Sequence, residues 1–233
     1  HLYFRPSVNP QLNFEQLDYI NYNAYLFLEL NSLNRNIFPT SGSRSSFEIK
    51  GLLNTRAKLN NLNPDSPITA DSLAPGAPFL RIALHSENYF PVHPKASFTL
   101  RPFGGLTSNP NSTFGDFFLI GAPAFLTRRS IPFYGLKPNQ LVAQVVLGTG
   151  IGYQQFISPN LMVSLNANAA VLARPGSQDT RLPTPDEFVA GVGLSGGYNT
   201  LIGPVKLSLM YPLVVDADGP DEFLFFLSIG HRF

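Results

Sequence analysis

Along most of its length this sequence changes character at every second residue, and that period limits what it can fold into. From Leu161 onward, Leu161, Val163, Leu165, Ala167, Ala169 and Val171 oppose Met162, Ser164, Asn166, Asn168 and Ala170. A strand with two unlike faces follows, because successive side chains of extended backbone point to opposite sides. Between Tyr22 and Asn31, Tyr22, Ala24, Leu26, Leu28 and Leu30 share one parity, and Asn23, Tyr25, Phe27, Glu29 and Asn31 the other. The segment from Ser45 sets Phe47, Ile49, Gly51 and Leu53 against Ser46, Glu48, Lys50, Leu52 and Asn54. Similar patterns near 79 to 89, 94 to 104, 139 to 153, 186 to 198, 203 to 214 and 222 to 233, with a weaker one at 2 to 8, bring the expected strands to ten. Helical periodicity is nearly absent, and the 21 prolines and 19 glycines fall where hairpins would turn. The chain is expected to be all-β.

The links between these strands fall into two alternating classes. Short turns are expected at 38 to 42, 89 to 94, 156 to 160 and 198 to 203, and longer polar links at 9 to 21, 57 to 78, 105 to 138, 173 to 185 and 214 to 221. An up-and-down transmembrane barrel has this alternation, with tight turns at one rim and extended loops at the other. No run of 18 apolar residues is present for a transmembrane helix, a test to which alternating strands are invisible.

A soluble ligand-binding β-barrel would alternate as well, with its apolar parity inside. Three features favour lipid. Charge is scarce on the apolar parity, and only 13% of all residues are charged, against roughly 25% in ordinary soluble domains. The polar parity carries Lys50, Arg81, His85, Lys95, Arg101, Lys206 and Arg232, which suits a wet lumen. At the end of the chain Phe223, Phe225, Leu227, Ile229, His231 and Phe233 share one face, an ending that resembles the aromatic terminal strand of outer-membrane barrel proteins. Tyr22, Tyr153, Tyr198 and Tyr211 near strand ends suit interfacial aromatic girdles.

Candidate chemistry is sparse. The 16 basic and 15 acidic residues nearly cancel, so no field gathers nucleic acid, and no nucleic-acid partner is expected. With no cysteine, thiolate chemistry and disulfides are excluded. His1, His85, His93 and His231 show no metal-ligand spacing, and neither a metal nor a cofactor is expected. Asp65, Asp71, Asp179, Asp186, Asp216, Asp218 and Asp221 fall in expected loops, where solvation explains them and weak surface calcium binding is the sharper alternative. Gly193-Leu194-Ser195-Gly196-Gly197 matches the G-x-S-x-G of a nucleophile elbow, with Asp218-Gly219 downstream. An elbow needs a helix after the serine, and here a second alternating strand follows, so no catalytic residue is assigned. Gly191, Gly193 and Gly197 read instead as space inside the wall for another segment. In the 105 to 138 loop Arg128 and Arg129 are candidates to pin the loop to acidic wall residues such as Glu29 or Glu48, the alternative being two solvated arginines.

The stretch from Leu30 through Phe38-Pro39-Thr40-Ser41-Gly42 to Ser43 resembles the strand-turn-strand of the bacterial surface-antigen barrel superfamily, which includes the barrel assembly factor of Gram-negative bacteria. Phe117-Phe118-Leu119-Ile120-Gly121, Ile131-Pro132-Phe133-Tyr134-Gly135-Leu136 and Ile202-Gly203-Pro204-Val205-Lys206-Leu207-Ser208-Leu209 are similar to the barrels that Bacteroidetes fuse to patatin-like phospholipases. The resemblance implies a single barrel region over 1–233, the last ten strands of a sixteen-stranded barrel whose N-terminal part is missing. It also implies an inward-folding loop at about 105–138 that bears Arg128, Arg129, Phe133, Tyr134 and Gly135. The Arg-Gly pair usual at that loop's tip in the assembly branch is absent from Arg128-Arg129-Ser130, a departure that weakens the assembly reading. The implied role is to anchor or present, in the bacterial outer membrane, a patatin-like acyl hydrolase lying outside this chain. The alternatives are a barrel for outer-membrane protein assembly or secretion, and the soluble binding barrel. Expected partners are outer-membrane lipids and lipopolysaccharide, other outer-membrane proteins, and the barrel assembly machinery during biogenesis.

Overall fold

The computed structural model describes residues 2–3, 14–61, 79–108, 117–124, 129–175, 185–201, 203–214 and 222–230. Among the described residues ten strands build the wall: β1 (Leu2–Tyr3), β2 (Phe14–Asn31), β3 (Gly42–Asn61), β4 (Phe79–His93), β5 (Ala96–Thr107), β9 (Val145–Ser158), β10 (Leu161–Ala173), β11 (Glu187–Thr200), β12 (Gly203–Val214) and β13 (Leu224–Ile229). Three short ones, β6 (Phe118–Ile120), β7 (Ser130–Ile131) and β8 (Leu141–Ala143), lie between β5 and β9. The wall is one sheet in the order β1-β2-β3-β4-β5-β9-β10-β11-β12-β13, with each strand antiparallel to its sequence neighbours in the wall. The sheet curls round an interior until β4 and β13 line the same cavity, His85 and Glu87 on one side and Phe226 and Ser228 on the other.

The two faces are inverted relative to a water-soluble barrel. Leu165 is 61% exposed on the outside, whereas its neighbours Ser164 and Asn166 are buried within. Leu147, Ile151, Leu194, Leu207 and Phe225 repeat the exposure, and Gln154, Asn168, Ser195 and Ser208 the burial. A chain that shows water its leucines and hides its amides gains nothing from the hydrophobic effect, so the outer face is built for hydrocarbon. This arrangement is the reverse of the soluble ligand-binding barrel. Phe223, Phe225, Leu227 and Ile229 are exposed at and along β13, while Phe233 lies outside the described residues.

Two expected boundaries are corrected. The link at 9 to 21 gives way to strand from Phe14, and the one at 57 to 78 to strand as far as Asn61, with Leu17 opposite Leu59 and Asn21 opposite Thr55. At 18 and 20 residues these strands exceed the roughly 9–11 that cross a bilayer, and beyond the hydrocarbon nothing requires alternation. The expected strand at 139 to 153 is broken at Gln144. There the main chain bridges two wall strands, its N–H donating to the Ala173 carbonyl at 2.8 Å and its carbonyl accepting from Thr107 at 2.9 Å. Leu141–Ala143 leaves the wall for a small sheet ordered β7-β6-β8, in which β6 is parallel to β7 and antiparallel to β8.

That small sheet fills one end of the interior. Phe118, Ile120, Phe133, Leu136 and Leu141 form an apolar core with Phe103, Val146, Leu172 and Val189 of the wall. The wall's inner face is therefore apolar against this small sheet, and carries Gln154, Ser164, Asn166, Ser195 and Ser208 farther along.

Replacing Leu165 with Arg is expected to cost about 2–4 kcal/mol of folding free energy in lipid vesicles, and Leu165→Phe less than about 1 kcal/mol. Urea titration of the vesicle-inserted protein measures both; equal losses contradict the outward assignment of this face.

Candidate functional site

The interior site begins with a subtraction of side chains. On β10, Asn166 stands between Gly152 and Gly193, and Asn168 between Gly150 and Gly191, because β9 and β11 present glycine at the facing positions. Each asparagine amide therefore rises from a depression in the wall. A Cβ built on Gly191 would lie 2.0 Å from the Tyr134 carbonyl oxygen, and one on Gly193 would lie 2.2 Å from Tyr134 Cδ1. These glycines are spaced for a docked tyrosine. Gly197 does the same for the β2–β3 turn, whose Phe38 ring would stand 2.6 Å from a Cβ there. Phe38 has φ 47°, a left-handed conformation unusual for a bulky residue, and Gln154 Nε2 donates to the adjacent Pro39 carbonyl.

Tyr134 reaches this depression because its neighbours face the other way. Phe133 and Leu136 insert into the apolar core, and Gly135 at φ 86° passes against the backbone of Tyr211 and Pro212. The turn thereby drives Tyr134 toward β11 and β12, beside Met210 and Leu224. Its backbone N–H donates to Asn168 Oδ1 at 3.1 Å, and Lys206 Nζ donates to its hydroxyl oxygen at 3.0 Å. The Arg101 guanidinium lies 5.8 Å from the ring centroid and the Lys206 ammonium 5.6 Å. Contacts of this kind are worth about 0.5–2 kcal/mol each when shielded from water. Arg101 is itself held by Nη2, which donates to Asn166 Oδ1 and, at 3.3 Å, to Thr99 Oγ1, while Asn166 Nδ2 donates to Ser164 Oγ at 3.0 Å. Tyr134 belongs to the loop, outside the wall strands. Burial opposes ionisation of its hydroxyl, but Lys206 and Arg101 outweigh burial and bring it down from 10.0 to about 8.

The residues singled out from the sequence separate here. Phe133, Tyr134 and Gly135 come together at the dock, whereas Arg128 lies outside the described residues. Arg129 contributes its carbonyl, which accepts from Leu119 N–H at 3.0 Å and joins the small sheet. The acids proposed to receive Arg128 and Arg129 are engaged by wall arginines: Glu48 with Arg81 at 2.8 Å in a buried pair, and Glu29 with Arg44 at 2.8 Å. The Arg81 guanidinium also lies 4.8 Å from the Phe118 centroid, a contact from a wall cation to a loop aromatic. Ser195 sits inside β11, 1% exposed, with its Oγ 2.8 Å from Ser208 Oγ, and is part of a strand rather than an elbow. His85 Nε2 lies 3.3 Å from Glu87 Oε1, and among the described residues no group of three potential metal ligands forms. The sequence reading placed Arg101, Lys206, Asn166 and Asn168 on the polar parity and no further. The signal for them was the spacing Gly148, Gly150, Gly152 on one strand and Gly191, Gly193 on another, which marks a recess two strands apart.

Residues 4–233 match a family model described as the OMP85 superfamily. Among solved structures, that of BamA from Haemophilus ducreyi lacking POTRA domains 1-3 is similar, with a TM-score of 0.60 at 17% identity over 87% of this chain and 41% of that one. The chain thus spans less than half the length of that structure, and the likeness is one of fold. No curated protein matches the sequence.

Gly191→Ala is expected to destabilise the folded protein by about 1–3 kcal/mol and to open the loop to limited proteolysis, since the added methyl meets main chain that has nowhere to go. Gly196→Ala, whose Cβ would meet nothing within 4 Å, should leave both readouts unchanged.

Proposed function

The chain belongs to the OMP85 superfamily, and on that basis we propose that it forms the wall of a bacterial outer-membrane barrel serving the assembly or secretion of other outer-membrane proteins. The observation that carries this reading is the combination of a lipid-facing exterior with an interior occupied by the barrel's own loop. Leu165, Leu194 and Phe225 face outward, while Tyr134, Phe133 and Leu136 are docked inside. A wall locked in this way suits a rigid scaffold in the bilayer, with the working surface at a sheet edge or at the rims. Strand β13 stands at one edge of the described sheet and pairs with β12 only over Val205 to Met210. A client strand adds to such an edge through main-chain hydrogen bonds, which ask little of its sequence. The partners under this reading are client outer-membrane proteins and the assembly machinery, with outer-membrane lipids and lipopolysaccharide around the apolar belt.

A second reading keeps the barrel as the anchor that presents a patatin-like acyl hydrolase carried outside these residues. Its support is the docking residue itself. The side chain set between Arg101 and Lys206 is the tyrosine of Ile131-Pro132-Phe133-Tyr134-Gly135, the stretch similar to patatin-linked barrels, and Arg128-Arg129-Ser130 lacks the glycine of the assembly branch.

Depleting the full-length protein in its host separates the two. The assembly reading expects a several-fold fall in other outer-membrane barrel proteins by quantitative mass spectrometry, with phospholipid turnover unchanged. A normal barrel proteome with reduced release of fatty acid from phospholipid would overturn it in favour of anchorage.

A further inference from the structure

The connection between β2 and β3 is far longer than reversal of the chain requires. It runs through residues 32–41, whereas β4 to β5, β9 to β10 and β11 to β12 turn at the same rim within two residues. The extra length lies inside the barrel. Phe38 stands over Gly197 on β11, five places from β3 in the order of the sheet, and shares that recess with the Met162 methyl. The Pro39 carbonyl accepts from Gln154 Nε2, and the Arg35 guanidinium lies 4.6 Å from the Phe156 centroid, both on β9. A segment that leaves β2 and rests on β9 and β11 crosses the interior. Beneath it is a cavity of about 620 Å³, lined by Ile37 and Phe38 on the turn side and by Gln154, Ser164 and Asn166 on the wall. This cavity shares Glu87, Arg101 and Lys206 with the one below the docked loop, so the chain's own segments stand at both ends of a continuous interior.

We propose that residues 32–41 are a releasable plug for this rim, latched by Phe38 in the Gly197 recess. The segment is folded independently of the wall it rests on. Asn34 Oδ1 accepts from the N–H groups of Thr40 and Ser41 at 3.0 and 3.2 Å, and its Nδ2 donates to Thr40 Oγ1 at 2.8 Å. The Asn34 N–H donates to the Ser41 carbonyl at 3.1 Å. None of these bonds reaches β9, β10 or β11, so the turn keeps its shape when it swings out. Its stem supplies the pivot at Gly42, where φ is 95° and a Cβ would lie 2.2 Å from the Ser32 carbonyl oxygen. The latch is strained in its closed position. Phe38 is held at φ 47°, which a bulky residue adopts only where its surroundings impose it, and the strain is relieved once the ring leaves. Burial of the ring favours docking and the backbone strain opposes it, and two opposed terms make a lid that can sit in either position. The plug concerns turn and wall alone and holds under either reading of function.

Thiol labelling of the full-length protein, folded in detergent and free of other cysteines, tests this. Ser164→Cys places a thiol on the wall beneath the turn, and Val189→Cys places one in the apolar core under the loop at the opposite end. A charged maleimide is the probe, and its rate of reaction follows the population of the open form. Phe38→Ala removes the latch, and Gly197→Ala fills the recess with a methyl 2.6 Å from the present position of Phe38 Cζ. Each should speed labelling at position 164 about tenfold or more while position 189 stays as slow as in the native background. Gly196→Ala, with open space around its Cβ, should change neither rate. An unchanged rate at position 164 in both latch variants overturns the proposal. So does equal acceleration at 164 and 189, which would mean that the interior opens as one unit and the turn has no separate motion.

Discussion

A polypeptide that sits in hydrocarbon must satisfy every backbone N–H and C=O from within, because lipid tails offer neither donor nor acceptor and each orphaned group costs several kcal/mol. A continuous antiparallel sheet meets this demand strand by strand, and the rest of this structure follows from it. Side chains then alternate strictly between lipid and interior, so each strand carries two separate specifications. Along β10, Val163 faces out between Met162 and Ser164, which face in. Where strands run beyond the bilayer, as in β2 and β3, the second specification lapses and the pattern blurs.

The interior obeys different rules. A closed wet lumen would need only polar groups, yet one end of this one is filled by a compact apolar core of loop and wall residues. The junction between that core and the polar remainder is where Tyr134 sits, with a ring that packs against Met210 and a hydroxyl that reaches Lys206. Tyrosine suits such a boundary because it is apolar along its body and polar at its tip. The recess that receives it is made by omission, since glycine at 191 and 193 removes the atoms that would collide. The polar wall thereby accepts a rigid loop without an apolar groove to hold it.

Charge inside the wall is handled by pairing at one place and by aromatic faces at another. Glu48 and Arg81 form a buried pair, further held by the Tyr25 hydroxyl, which donates to Glu48 Oε2 at 3.2 Å. Arg101 and Lys206 instead flank the Tyr134 ring, at 5.8 and 5.6 Å from its centroid. Complementary charges thus hold one part of the lumen, and cation–ring contacts the part around Tyr134. The turn bearing Phe38 and Arg35 packs elsewhere on the wall, with the Arg35 guanidinium 4.6 Å from the centroid of Phe156.

The sequence by itself determined the strands and their faces, because alternation is a local property: Leu165 and Asn166 announce opposite sides with no knowledge of their neighbours in space. It also determined that Gly191, Gly193 and Gly197 make room for something, since a strand glycine costs stability that close approach can offset. The occupants were another matter. Tyr134 lies 57 residues before Gly191 along the chain, and Phe38 lies still farther from Gly197, so only the curl of the sheet brings each pair together. Partner choice among charges was equally hidden: Arg81, opposite Lys50 in register, takes Glu48. Local chemistry fixes what each residue prefers to face, whereas tertiary packing decides which of several eligible partners arrives, because contact between distant residues depends on strand order and register rather than on either residue's own character.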